Sequence, residues 1–185
     1  MMAGKTSRPA TRDDLHSVLR LLNASGIEYM LVGGYALLAH GYTRATTDID
    51  VLVPGNIDTG RKLIQALMSL PDQAAKDMKP EWLTEGGTIR VGDEFVVDVM
   101  TNANGHTYEE LVGHLETIDL DGIPVRTLDL QGLLLTKQTM RAKDAADRLA
   151  IERALAVMGW QPEPEARQAP APKSLWARWL AFLRS

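Results

Sequence analysis

Three aspartates stand where apolar strands are expected. Asp48 and Asp50 lie within Thr47 to Val53, and Asp98 lies within Glu94 to Met100. Carboxylates are poor strand residues and costly to bury unpaired. Strand side chains two apart leave the same face, so Asp48 and Asp50 project together, about 6–7 Å apart, while Ile49, Val51 and Val53 turn to a core. Like charges at that spacing repel unless something positive sits between them. Asp98 alternates with Val96 and Met100, and a buried lone aspartate also requires a partner. A divalent ion, Mg2+ or Mn2+, answers all three, because hard cations take carboxylate oxygens and keep phosphate oxygens in their shell. Two ions about 3.5–4 Å apart can clamp the attacking and leaving oxygens of an in-line displacement. The chemistry that fits is phosphoryl transfer from a nucleoside triphosphate. Asp48 and Asp50 would hold metal and triphosphate, and Asp98 the second metal and the acceptor hydroxyl. The competing reading is a solvated strand face.

The elements around these residues must position them. Glu28 to Val32 is short, apolar and bounded by glycine, as a buried strand would be. Gly33-Gly34 follows, then a helix-prone run from Tyr35 to His40 that ends at Gly41. A diglycine between a strand and a helix start lets backbone N–H groups approach an anion, or simply makes a tight turn. Arg44 in the loop that follows, and Lys137 much later, would neutralise charge developing on a leaving pyrophosphate. Upstream, Thr11 with Asp13 and Asp14 opens a helix whose Leu15, Val18, Leu19 and Leu22 recur at helical spacing. Downstream, Asp58 to Leu70 is an amphipathic helix. Thr88 to Val91 and Glu94 to Met100 pair about a Gly92-Asp93 turn. Leu115 to Leu120 and Ile123 to Thr127 pair about Asp121-Gly122. Thr127 or Asp129 caps a helix, and one helix or a helix pair runs on to Met158.

The run Val32 to Val53, with Gly33-Gly34 and then Asp48-Ile49-Asp50, followed by Asp98 on a later strand, resembles the nucleotidyltransferase superfamily of the DNA polymerase β type. Within it the chain is similar to the bacterial minimal nucleotidyltransferases and to nucleotidyltransferase toxins of type IV toxin–antitoxin systems. Leu134-Leu135-Thr136-Lys137, with Arg141-Ala142-Lys143-Asp144 and Asp147, resembles a second segment of that group. The resemblance covers about residues 12–158. It implies an α+β fold, a mixed β-sheet flanked by helices, and metal-dependent transfer of a nucleotide to a tRNA 3′ end, a protein side chain or a small molecule. The nucleotide contacts expected are Gly33, Gly34, Arg44, Thr47, Lys137 and Asp144, with ATP-type substrates in view. The metal ligands and catalytic residues expected are Asp48, Asp50 and Asp98. Many members carry Gly-Ser where this chain has Gly33-Gly34, which leaves the backbone alone to meet a phosphate. The alternatives are a non-catalytic nucleotide- or partner-binding module of the same fold, and an antibiotic-modifying nucleotidyltransferase.

Bulk properties narrow the field. With 185 residues the chain suits one domain with a full core, and no cysteine is present, so disulfides, thiolate zinc sites and cysteine nucleophiles are excluded. A net charge of −4 announces no global field for nucleic acid. His16, His40, His106 and His114 show no close ligand spacing. Met1 to Arg12 is polar and lacks the apolar core of a signal peptide, and no apolar run approaches the roughly 20 residues of a membrane span, which favours the cytoplasm. Residues 1–11 are expected to be a disordered lead, 12–158 the domain, and 159–173 a Pro/Ala-rich linker. Residues 174–185 are expected to form an amphipathic helix carrying Leu175, Trp176, Trp179, Leu180, Phe182 and Leu183. Its partners would be a cognate antitoxin, a second copy, a membrane surface or the domain itself.

Overall fold

Each element follows from a local signal. In the computed structural model, residues 6–43, 45–137 and 142–159 are described, with backbone only for Ala142 and Lys143. Helix α1, Arg12–Ala24, starts at a reciprocal capping box in which Thr11 accepts from the Asp14 N–H and Asp14 accepts from the Thr11 N–H. Leu15, Val18, Leu19 and Leu22 form its buried stripe. Strand β1, Met30–Val32, runs straight into α2, Gly33–Ala39, so the diglycine forms the first turn of that helix rather than a linker before it. Strand β2, Asp48–Leu52, and helix α3, Ile57–Leu67, follow, and Asn56 caps α3 by accepting from the Thr59 N–H. A short α4, Trp82–Glu85, precedes β3, Thr88–Gly92, and β4, Val96–Met100. Asn102–Ala103 (β5) and His106–Thr107 (β6) close a small hairpin about Asn104 and Gly105, both at positive φ as its turn demands. Then come α5, Tyr108–Leu111, the hairpin of β7, Leu115–Leu120, and β8, Ile123–Leu128, then α6, Leu130–Thr136, capped by Asp129, and α7, Ala142–Val157.

The main sheet has six strands in the order β3-β4-β2-β1-β8-β7. The β1/β2, β3/β4 and β7/β8 pairs are antiparallel, while β2/β4 and β1/β8 are parallel. The sheet is therefore mixed and the fold α+β, with helices packed on it, as expected. Ile49, Val51, Val97 and Val99 are fully buried on one face of the central strands. Excluding such side chains from water, at about 1.5–3 kcal/mol each, fixes the strands that carry the acids on the other face.

Two details differ from the sequence reading. Residues 6–11 are not a loose lead: Arg8 bridges to Phe95 and donates its N–H to the Glu94 carbonyl, and the Ala10 N–H donates to Thr47. The β3–β4 register also differs. Gly92 pairs with Val96, so the loop is Asp93-Glu94-Phe95 and Glu94 lies outside the strand.

The chain divides into two compact units, Met1–Glu152 and Arg153–Ser185. Of the second, residues 153–159 are described; they are the end of α7, at Val157, followed by Met158 and by Gly159 at φ +81. The linker and the tryptophan-bearing helix expected over 159–173 and 174–185 lie outside the described residues, apart from Gly159. No helix among the described residues is long and apolar enough to cross a membrane.

Candidate active site

The parallel register of β2 and β4 sets Asp50 directly beside Asp98, and Asp48 beside Val96. Adjacent strands are about 4.8 Å apart, so the three acids share one patch of one sheet face. Asp48 and Asp50 are half-buried, and the Asp98 side chain is 9% exposed.

The glycine turn has a task the sequence reading did not assign to it. Gly33 has φ +68, and a Cβ there would overlap the Asp50 carboxylate. Val32 pairs with Asp50 across the β1/β2 ladder, which brings the start of α2 onto that acid. Only glycine meets both demands, the left-handed backbone and the close approach.

The three acids and both glycines line one cavity of about 610 Å³, together with Ala45, Thr46 and Thr47 from the loop before β2. Thr88 and Arg90 of β3, Met100, Asn102, Ala103 and Asn104 beyond β4, and Thr136, Lys137 and Asp144 complete its wall. The cavity thus gathers Gly33, Gly34, Thr47, Lys137 and Asp144 with the three acids. Arg44 lies outside the described residues.

Lys137 is buried, and its cation is already engaged. Its Nζ lies 3.0 Å from Asp147 Oδ2 and 3.7 Å from Asp144 Oδ1, with both aspartates buried as well. This triad clasps the end of α6 to the first turns of α7. Any contact of Lys137 with a nucleotide is made from within that clasp.

Arg90 is the side chain in the cavity wall, paired with two of the acids, that sequence reasoning missed. It pairs with Asp98 across the β3/β4 ladder. Its Nε donates to Asp98 Oδ1 at 3.0 Å, and its Nη2 donates to Asp98 Oδ2 at 2.8 Å and to Asp48 Oδ2 at 3.0 Å. The hydrogen bonds to Asp98, then the charges of Asp98, Asp48 and Asp50, push the guanidinium above its ordinary pKa. The signal that could have found it is the alternation Thr88, Arg90, Gly92, which becomes informative only with the correct hairpin register.

The donor set suits a divalent metal: three carboxylates on rigid strands, with no Cβ at Gly33 to crowd Asp50. As the side chains lie, however, no group of three acidic, histidine or cysteine residues among the described residues encloses a metal position. Arg90 supplies the positive charge instead.

Comparisons with known proteins give the family and the fold. Residues 11–158 match the model of the family described as nucleotidyl transferase of unknown function (DUF2204). The chain belongs to that family. Among solved structures it is similar to the lincosamide antibiotic adenylyltransferase LnuA in its lincomycin-bound form, at 15% identity and TM-score 0.55, over 78% of this chain and 98% of that one. It is also similar to the antibiotic-resistance factor ANT(2″)-Ia, at 16% identity and TM-score 0.45, over 78% of this chain and 92% of that one. No curated protein matches it in sequence. The nucleotidyltransferase thus shows the mixed sheet and flanking helices that the sequence resemblance implied.

Proposed function

We propose that this nucleotidyltransferase moves a nucleoside monophosphate from a triphosphate to a hydroxyl of a small-molecule acceptor, with Mg2+ or Mn2+ held by Asp48, Asp50 and Asp98. The observation that carries the reading is the β2/β4 register, which sets Asp50 beside Asp98 in the wall of the 610 Å³ cavity. A bound divalent ion supplies positive charge to the phosphates and to the ionising acceptor hydroxyl. Asp50, braced against Gly33, keeps its carboxylate on the triphosphate side. Asp98, the most buried of the three, accepts the hydroxyl proton or orients that hydroxyl. Backbone N–H groups at Gly33 and Gly34, with Thr47 beside them, meet the phosphates, and Lys137 and Asp144 bound the nucleotide end.

The cavity volume falls within the roughly 300–1,000 Å³ typical of small-molecule sites. Lys137 is turned inward onto Asp144 and Asp147, so its cation is not offered to a phosphate-rich acceptor surface. LnuA, which shares the fold, is an adenylyltransferase of a lincosamide antibiotic. A tRNA 3′ end or a protein acceptor, as in a toxin with a cognate antitoxin, is the reading against which this one is measured.

The test offers magnesium and each of four labelled triphosphates to three acceptor pools: hydroxyl-rich small molecules including antibiotics, total tRNA, and lysate protein. Transfer to a small molecule that vanishes in Asp50→Ala supports the proposal. Transfer to tRNA or protein alone overturns the acceptor, and no transfer in any pool overturns the activity.

A further inference from the structure

We propose that Arg90 is a positioning residue that holds the bridging position between Asp48 and Asp98 until a divalent metal displaces it, so that this guanidinium sets the metal affinity of the site. The inference rests on the metal-dependent reading above and deepens it.

The geometry carries it. One nitrogen, Arg90 Nη2, lies 2.8 Å from Asp98 Oδ2 and 3.0 Å from Asp48 Oδ2. A single cationic group thereby spans two carboxylates on two strands, which is what a bridging metal would do. Metal–oxygen bonds to Mg2+ are about 2.0–2.1 Å, so an ion shared by those same two oxygens cannot coexist with the nitrogen between them. Metal entry therefore requires the guanidinium to leave.

Burial explains why it is there and why it can go. The Asp98 side chain is 9% exposed, and a carboxylate so enclosed is expensive without a counter-charge. Something must offset that cost before any metal arrives, and for Asp98 it is the Arg90 guanidinium. The Arg90 side chain is 61% exposed and stands on β3, the edge strand of the sheet. It can swing into solvent and be rehydrated without disturbing the core. Bidentate pairing to Asp98 through Nε and Nη2 also orients that carboxylate, so the acid is held in place while it waits. Arg90 is then both a placeholder for positive charge and a competitor for it.

The readout is Mn2+ affinity, measured by paramagnetic resonance or calorimetry with no nucleotide present, on the wild type, Arg90→Gln, Arg90→Lys and Asp50→Ala. Arg90→Gln is expected to bind Mn2+ about tenfold more tightly, as when one charge is removed at contact distance in a partly solvated site. Arg90→Lys, which keeps the charge and loses the fork, falls between Arg90→Gln and the wild type. Unchanged or weaker binding in Arg90→Gln overturns the proposal. Should that variant not fold, Arg90→Lys decides, and an affinity equal to or weaker than wild type overturns it. Mn2+ binding lost in Asp50→Ala but equal in the wild type and the Arg90 variants sinks only the role of Arg90. No Mn2+ binding by any protein sinks the metal reading itself, and this proposal with it.

Discussion

Two buried aspartates lie five positions apart on the β3–β4 hairpin, and they are satisfied in opposite ways. Asp93 is 2% exposed and accepts three backbone N–H groups: Asp72 at 2.8 Å, Ala74 at 3.0 Å and Glu94 at 2.9 Å. Asp98 is 7% exposed and is held by the side chain of Arg90. Backbone donors cannot leave without unfolding the loop from Asp72 to Ala74. A guanidinium on an edge strand can leave by rotating a few bonds. The difference separates a carboxylate that staples a loop to a hairpin from one whose partner can be exchanged. Burial alone does not tell them apart; the mobility of the donor does.

The strongest way to break this comparison is a matched pair of substitutions. Asp98→Asn should lower nucleotide transfer about a thousandfold, because a neutral amide neither binds metal well nor takes a proton. Its melting temperature should stay close to that of the wild type. A stable, fully active Asp98→Asn would remove Asp98 from the chemistry. Asp93→Ala should do the reverse and cost about 3 kcal/mol through three orphaned backbone donors. Calorimetry should show a fall of about 6–12 °C. Activity per folded molecule should be retained. If stability held and activity fell, Asp93 would belong with Asp98 and the distinction would collapse.

Gly33→Ala sharpens the comparison for the third acid. Its Cβ would displace the Asp50 carboxylate, and a misplacement near 1 Å costs about a hundredfold in rate. Measured Mn2+ binding should weaken along with turnover. A variant with normal kinetics would show that Asp50 tolerates movement.

Asp14 gives the smallest effect and a surface reference point. The Arg8 hydrogen bonds, chiefly, lower it from the ordinary 3.8 to about 2. Because the folded value is depressed, its stabilisation is complete above about pH 4 and fades as pH falls towards 2. Melting curves of the wild type and Asp14→Asn should be separate at pH 6 and converge over that window. A gap independent of pH would mean that the pair acts through shape rather than charge.

Much of this site was legible from residues because the signals were local. The alternation of Asp48 and Asp50 with Ile49, Val51 and Val53 fixed a face, and the apolar neighbours of Asp98 declared it out of place. The hairpin turn at Asp121-Gly122 and the cap at Asp129 likewise followed from local chemistry. What was not legible depended on register. A two-residue turn at Gly92-Asp93 would set Glu94 across from Val91 and Gly87 across from Asp98. The loop holds one residue more and closes at Gly92 and Val96, because Asp93 turns inward to collect backbone donors. That shift delivers Arg90 to Asp98. The fixing of residues 6–11 was equally hidden, since its partners, Phe95 and Thr47, are distant in sequence. Lys137 was seen as a cation near phosphate, but its enclosure by Asp144 and Asp147 needed the packing of two helices.

The parallel pairing of β2 with β4 has a consequence during synthesis. Asp48 and Asp50 leave the ribosome well before Asp98, at roughly 5–20 residues per second. β1 and β2 can pair as soon as both emerge, but the strand bearing Asp98 arrives after α3 and the whole segment up to β3. A nascent chain therefore passes through seconds in which it holds two of the acids and lacks the strand that carries the third. On the proposed mechanism, competence would wait for β4, and products truncated before it would lack the third acid and transfer no nucleotide.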